Sequence, residues 1–234
     1  PENAPPYNPR MDPAGDKEWP GFALHSVVEH HAKLISSFKT WRTLVKLNDP
    51  PRGPQLEMAK ANIMVQMGVL SHMVGDLAQP LHTTKHFNGW VGDNPAGYTT
   101  ATNFHAYIDG GVVALHGLNH AKLKDSQTYA QQIQDATNPW PEVVEYVTRS
   151  HDKVVPLYEL EKSGELKEQL GRGFIIERFN DAGGMLAAMY NSAWSASTID
   201  EKYVKDFLRY DGFQIQDAPE DVRSAGQVEG GPGR

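Results

Sequence analysis

Cysteine is absent from this chain, so disulfides and thiolate metal sites are both excluded, and any bound metal must rest on imidazole, carboxylate or backbone ligands. Long apolar runs are absent too: no segment approaches the ~18 consecutive apolar residues of a membrane-spanning helix. Positive charge is the minority sign, with 22 Lys and Arg against 29 Asp and Glu for a formal charge of −7. That balance argues against a protein that grips nucleic acid by a broad basic surface, whereas bound divalent cations would offset part of it. Neither a basic nor an apolar leader opens the sequence, which begins Pro1-Glu2-Asn3-Ala4-Pro5-Pro6, so no signal peptide is expected within it. What remains is ordinary globular composition, 39% hydrophobic and 22% charged over 234 residues, enough for one domain with a sizeable core.

Residues 1–20 are rich in Pro, Gly and Asp without hydrophobic period and read as an irregular arm. From Phe22 to Leu47 the apolar positions Leu24, Val27, Val28, Leu34, Ile35, Phe38, Trp41, Leu44 and Val45 recur mostly at three- and four-residue steps, the mark of an amphipathic helix that Pro50-Pro51-Arg52-Gly53-Pro54 ends. A second helix is expected over about 55–77, stopped by Pro80, and further helices over 103–118, 126–136, 140–162 and 171–196. Between them, residues 83–102 form a Gly/Asn/Thr-rich loop, long enough to read as functional. The expectation is an all-α, single-domain multi-helix bundle around a metal cluster, spanning residues 21–200, with a partly disordered C-terminal extension over 201–234.

The metal reading starts from spacing. In Ser71-His72-Met73-Val74-Gly75-Asp76 a His and an Asp stand four apart on one helix face, able to supply two ligands to one ion. Asp76-Leu77-Ala78-Gln79-Pro80-Leu81-His82 follows, where Pro80 breaks the helix and lets His82 turn back toward the same cavity. Asn103-Phe104-His105-Ala106-Tyr107-Ile108-Asp109 repeats the His/Asp pair at the same spacing. With His25 and an N-terminal Asp these make seven candidate donors. His116 and His120 read as structural, Glu29-His30-His31 as a solvated turn of helix, and Trp19, Trp41, Trp140 and Trp194 as packing residues.

The string His72-x-x-x-Asp76, Gln79-Pro80-Leu81-His82, then Phe104-His105-x-x-x-Asp109 resembles the zinc-dependent phospholipase C and single-strand-specific nuclease superfamily. The resemblance implies a zinc-dependent phosphodiesterase in which His25, His72, Asp76 and an upstream Asp bind one ion while His82, His105 and Asp109 bind a second. Asp16, in Asp-Lys-Glu-Trp, is favoured over Asp12 as the upstream residue, as ligand or as the base that orients the attacking water, and Asp76 would reach toward a third ion. In the family that third ion also uses an amino-terminal Trp and a nearby His. Pro1 is not Trp and no His precedes His25, so either an upstream segment is missing from this sequence or two ions suffice. The implied chemistry is attack of a metal-bound hydroxide on a phosphodiester, in a protein that is extracellular or periplasmic, as the relatives are; no stable protein partner is inferred from the sequence.

Two substrates divide the residues. Phe22-Ala23-Leu24-His25 resembles the phospholipase segment in which a Phe boxes a choline head group, and the lack of cysteine also resembles the bacterial lipases. Asn103-Phe104-His105-x-x-x-Asp109, with Asp closing the pair, and the step from His82 to His105 match the nucleases, although their Gly-Gly-Asn loop is replaced by Gly92-Asp93-Asn94-Pro95-Ala96-Gly97-Tyr98. The balance tips to a phospholipase C type of reaction, with a single-strand nuclease or nucleotidase as the alternative and a non-catalytic metal-binding helical protein as a further one. On either substrate Phe87, Trp90 and Tyr98 are candidates for the wall that covers a head group or stacks on a base; their structural alternative is to anchor the loop to the core.

Overall fold

A computed structural model describes residues 21–123 and 131–211. The candidate ligands Asp12 and Asp16, the arm over 1–20 and the tail after 211 lie outside the described residues. Two long helices open the fold, α1 over Ala23–Leu47 and α2 over Gly53–Ala78, and they pack against each other. Asn48 ends α1 in the left-handed conformation (φ 46°), which Asn tolerates better than most residues, and Pro50–Arg52 forms a 3-10 turn into α2. α2 stops because Gln79 precedes a proline, whose ring pushes it out of the helical region to φ −82°, ψ 115°.

After the loop, one irregular helix, α3, covers residues 104–115: Phe104–Ala106 and Val113–Leu115 are α-helical, and Tyr107–Val112 between them is π-helical. A short turn of helix, α4, covers His120–Leu123. Then come α5 (Trp140–His151), α6 (Val154–Ser163), α7 (Gln169–Ala196) and α8 (Glu201–Asp211), with no strand among the described residues. The fold is all-α, as the periodicity predicts.

Three segments differ from that prediction. The single helix expected over 140–162 is two, because Pro156 lacks an N–H and its ring would clash with the Asp152 carbonyl four residues back. Residues 131–136 are not helical: the Asp135 carboxylate accepts from the Thr137 N–H (2.8 Å) and hydroxyl (2.7 Å), a local turn that competes with helix, and Gln131 is tied to the Asp181 carboxylate on α7. Residues 201–211 form a helix within what was expected to be a C-terminal extension.

Two buried clusters divide the core. One joins α1, α2, α5 and α7 through Val27, Leu34, Leu70, Val74, Tyr146 and Met185. The other joins the long loop, α3, α6 and the start of α7 through Leu81, Tyr98, Ile108, Tyr158 and Phe174. Each fully buried Leu or Val contributes about 1.5–3 kcal/mol. Leu77 and Ala78 belong to the first cluster and Leu81 to the second, so the chain crosses between the cores at the Gln79-Pro80 turn. His82 follows immediately, in the 3-10 turn Pro80–Thr83, whose Pro80 and Leu81 are buried.

One histidine departs from its expectation. Glu29 is exposed and pairs with Lys33, and His30 bonds Gln66, but His31 is fully buried and its Nε2 lies 2.8 Å from the Ser192 hydroxyl. The solvated turn is therefore only its first two residues.

Candidate metal centre

The turn after Gln79-Pro80 and α3 place three donors about one point. The Nε2 atoms of His82 and His105 lie 2.7 Å apart, and the same His105 nitrogen is 3.0 Å from Asp109 Oδ2. These two imidazoles and one carboxylate lie within 4.8 Å of one another. Two ring nitrogens so close cannot both carry hydrogen, so at least one lone pair points into the space between them. That is where a proton or a cation is favoured, and an imidazole, imidazole, carboxylate set with room for water is the catalytic kind of zinc site. The residues fit zinc.

On the other side of His82, its Nδ1 lies 3.9 Å from Asp76 Oδ1, while the opposite carboxylate oxygen of Asp76 is 3.3 Å from His72 Nε2. Asp76 thus links the two His/Asp pairs through His82. His72, Asp76, His82, His105 and Asp109 form one continuous array. His25 is not part of the three-donor group; it sits near the start of α1 with its ring 4.7 Å from Trp140.

Gln79 is a residue the motif contained but spacing alone did not assign. Its Oε1 accepts from the Leu81 N–H, so its amide nitrogen faces the other way and donates to Asp109 Oδ1 at 3.0 Å. The backbone bond fixes which way the amide points. A ligand carboxylate held by an outer hydrogen bond keeps its other oxygen oriented, a support that metal sites use regularly.

The long loop is well tied. Tyr158 donates its hydroxyl to the His86 carbonyl (2.5 Å), Lys162 to the Ala96 carbonyl (2.7 Å), and the Asn94 side chain bonds the Tyr98 backbone in both directions. Gly89 is required there: at φ +89° a β-carbon would come within 2.6 Å of the Thr100 backbone. Tyr98 is buried, its hydroxyl donated to Glu159, so its place is the anchor of the loop. Trp90 stacks on His86 with centroids 3.9 Å apart and donates its indole N–H to the Asp93 carbonyl. Phe87 is the exposed member of the three, and its ring stands edge-on to His105 at 6.2 Å.

A cleft of about 900 Å³ opens beside His82, lined by Phe87, Trp90, Lys85, His86 and His151 among others. Its wall includes Gly21, Ala23 and Leu24 at the start of α1 but not Phe22, which is half exposed. His151 contributes a long-range tie that spacing could not reveal, donating Nδ1–H to the carbonyl of Thr83, next to His82, at 2.9 Å. His116 is structural, as expected, bonded to the Leu166 carbonyl at 2.9 Å.

Compared with known proteins, the chain matches a family model described as S1/P1 nuclease over residues 54–220, more than two thirds of its length. That span contains His72, Asp76, Gln79, His82, His105 and Asp109, and begins after His25. No curated protein and no solved structure matches.

Proposed function

We propose, from the premise that this chain belongs to the S1/P1 nuclease family, that its substrate is single-stranded nucleic acid rather than phospholipid. The family is one of zinc-dependent phosphodiesterases within the phospholipase C and nuclease superfamily, and the chain is a metal-dependent phosphodiester hydrolase. The observation that carries the substrate reading is Phe87, exposed beside His105 and on the cleft wall, where an aromatic ring can stack on an unpaired base. Phe22, on which the choline reading leaned, is not among the residues lining that cleft.

In this reading His82, His105 and Asp109 hold one zinc, and His72 and Asp76, with His25 and an upstream Asp, hold another. Asp16 is our choice for that Asp and lies outside the described residues. When bound, zinc supplies a water of pKa near ~7 and positive charge against the phosphate oxygens. Asp76, with one oxygen toward His72 and the other toward His82, is placed to orient the attacking water. Gln79 holds Asp109 for its task, and Phe87 positions the base next to the scissile phosphate. By the same family premise we place the protein outside the cytoplasm, extracellular or periplasmic. None of its described helices is long and apolar enough to cross a membrane.

Elemental analysis of the purified protein, paired with hydrolysis of single-stranded DNA, phosphatidylcholine vesicles and an aryl phosphodiester before and after chelation, tests this. Two zinc ions per chain and chelator-sensitive cleavage of DNA but not lipid are expected. Lipid cleavage without DNA cleavage would return the phospholipase reading. Retained zinc with no turnover of any diester would leave a binding protein.

A further inference from the structure

The cleft beside His82 carries a cluster that the metal site does not use. Lys85 follows His82 by three residues, at most ~11 Å of chain, and lines the cleft together with His86 and His151. The His86 ring is locked in place: it lies flat on Trp90 (3.9 Å, 7° between planes), and its Nδ1 accepts from the Val91 N–H at 3.1 Å. Burial, and then the charges of Lys85 and His151 beside it, hold this ring below the usual imidazole range. With Nδ1 occupied as an acceptor, the ring carries its proton on Nε2. His151 is held by its bond to Thr83, and Asp152 is the acidic residue on the same wall.

We propose that this cleft is a subsite for a second phosphate of the substrate strand, with Lys85 as its charged contact and the His86 and His151 rings as its polar wall. The inference rests on the phosphodiesterase reading above. A strand with one phosphodiester at His82 brings its neighbouring phosphate within reach of the Lys85 side chain, and the exposed Phe87 gives the intervening base an aromatic surface. The subsite therefore selects polymers over isolated diesters. Asp152 opposes the incoming charge and limits affinity.

The test is binding of a fluorescein-labelled hexathymidylate with phosphorothioate linkages to the zinc-loaded protein, followed by anisotropy as salt is raised, so that no turnover is needed. Lys85→Gln is expected to raise Kd about fivefold, the size of one partly exposed ion pair. It should also lower the slope of log Kd against log salt by ~0.7, the value of one phosphate contact on a single strand. Asp152→Asn should tighten binding, and Lys85→Arg should restore the slope. Lys60→Gln, the same charge change on the exposed part of α2, controls for net charge. If Lys60→Gln and Lys85→Gln lose equally, or if Lys85→Gln leaves the slope unchanged, the subsite is refuted. Failure to cleave any diester would instead sink the proposed function, and the anisotropy would still decide for or against the subsite.

Discussion

Replacing Gln79 by Met removes two hydrogen bonds while keeping the length of the side chain, and the two losses report on different things. The Leu81 N–H, in a residue with no exposed surface, loses its acceptor, which costs about 1–3 kcal/mol. In a protein of this size each kcal/mol lowers Tm by about 2–4 °C. Asp109 loses the donor on its Oδ1, so the carboxylate can rotate away from His105. Outer-shell losses of this kind typically weaken metal binding 10–100-fold. Thermal unfolding of the metal-free protein reads the first effect, and zinc competition against a chromophoric chelator reads the second. A lower Tm with zinc affinity within a factor of two of the unmutated protein would show that Gln79 only caps the turn, and the orienting role would be refuted.

Acid should destabilise the protein through His31, whose pKa burial depresses below its ordinary 6.5. As pH falls below that value the unfolded chain takes up the proton first, so stability drops by up to about 1.4 kcal/mol per pH unit until the folded pKa is reached. Denaturant titrations across pH 4.5–8 should show this slope flatten in His31→Gln. Tyr146→Phe removes a buried 2.7 Å bond to the Val74 carbonyl, between His72 and Asp76 on α2, and should cost about 1 kcal/mol by the same titration. Gly89→Ala should destabilise by about 1–3 kcal/mol through its positive φ and the Thr100 contact, and faster proteolysis within residues 84–103 would check it.

The array from His72 to Asp109 was legible because both pairs are local, four residues apart on helices, and because Pro80 announces the turn that returns His82 to them. The amide orientation of Gln79 was not legible, since it depends on a partner thirty residues away in Asp109. His151 is further still, 68 residues from Thr83, and on its own helix it looks like any exposed polar residue. The break before α6 could have been read from Pro156, while the periodicity of 140–162 spoke for one helix. Met58 and Met64 are apolar residues of α2 yet are mostly exposed, because an apolar side chain on a helix does not say what covers it. Phe87, Trp90 and Tyr98 carried the same sequence signal and divide only by depth: Tyr98 anchors, Trp90 stacks on His86, and Phe87 is exposed beside His105.

The π-helical turn in α3 has a consequence for how this helix tolerates change. It spans Tyr107–Val112, with Asp109 inside it and the buried Ile108 and Val112 facing the core. In a regular helix, deletion of one residue rotates everything beyond it by ~100°. Here the wide turn already holds one residue more than α-helical winding needs, so a deletion at Gly110 or Gly111 would tighten it into ordinary helix and keep Val113–Leu115 close to its present facing. The surplus residue thus gives the donor pair and the end of the helix separate tolerances.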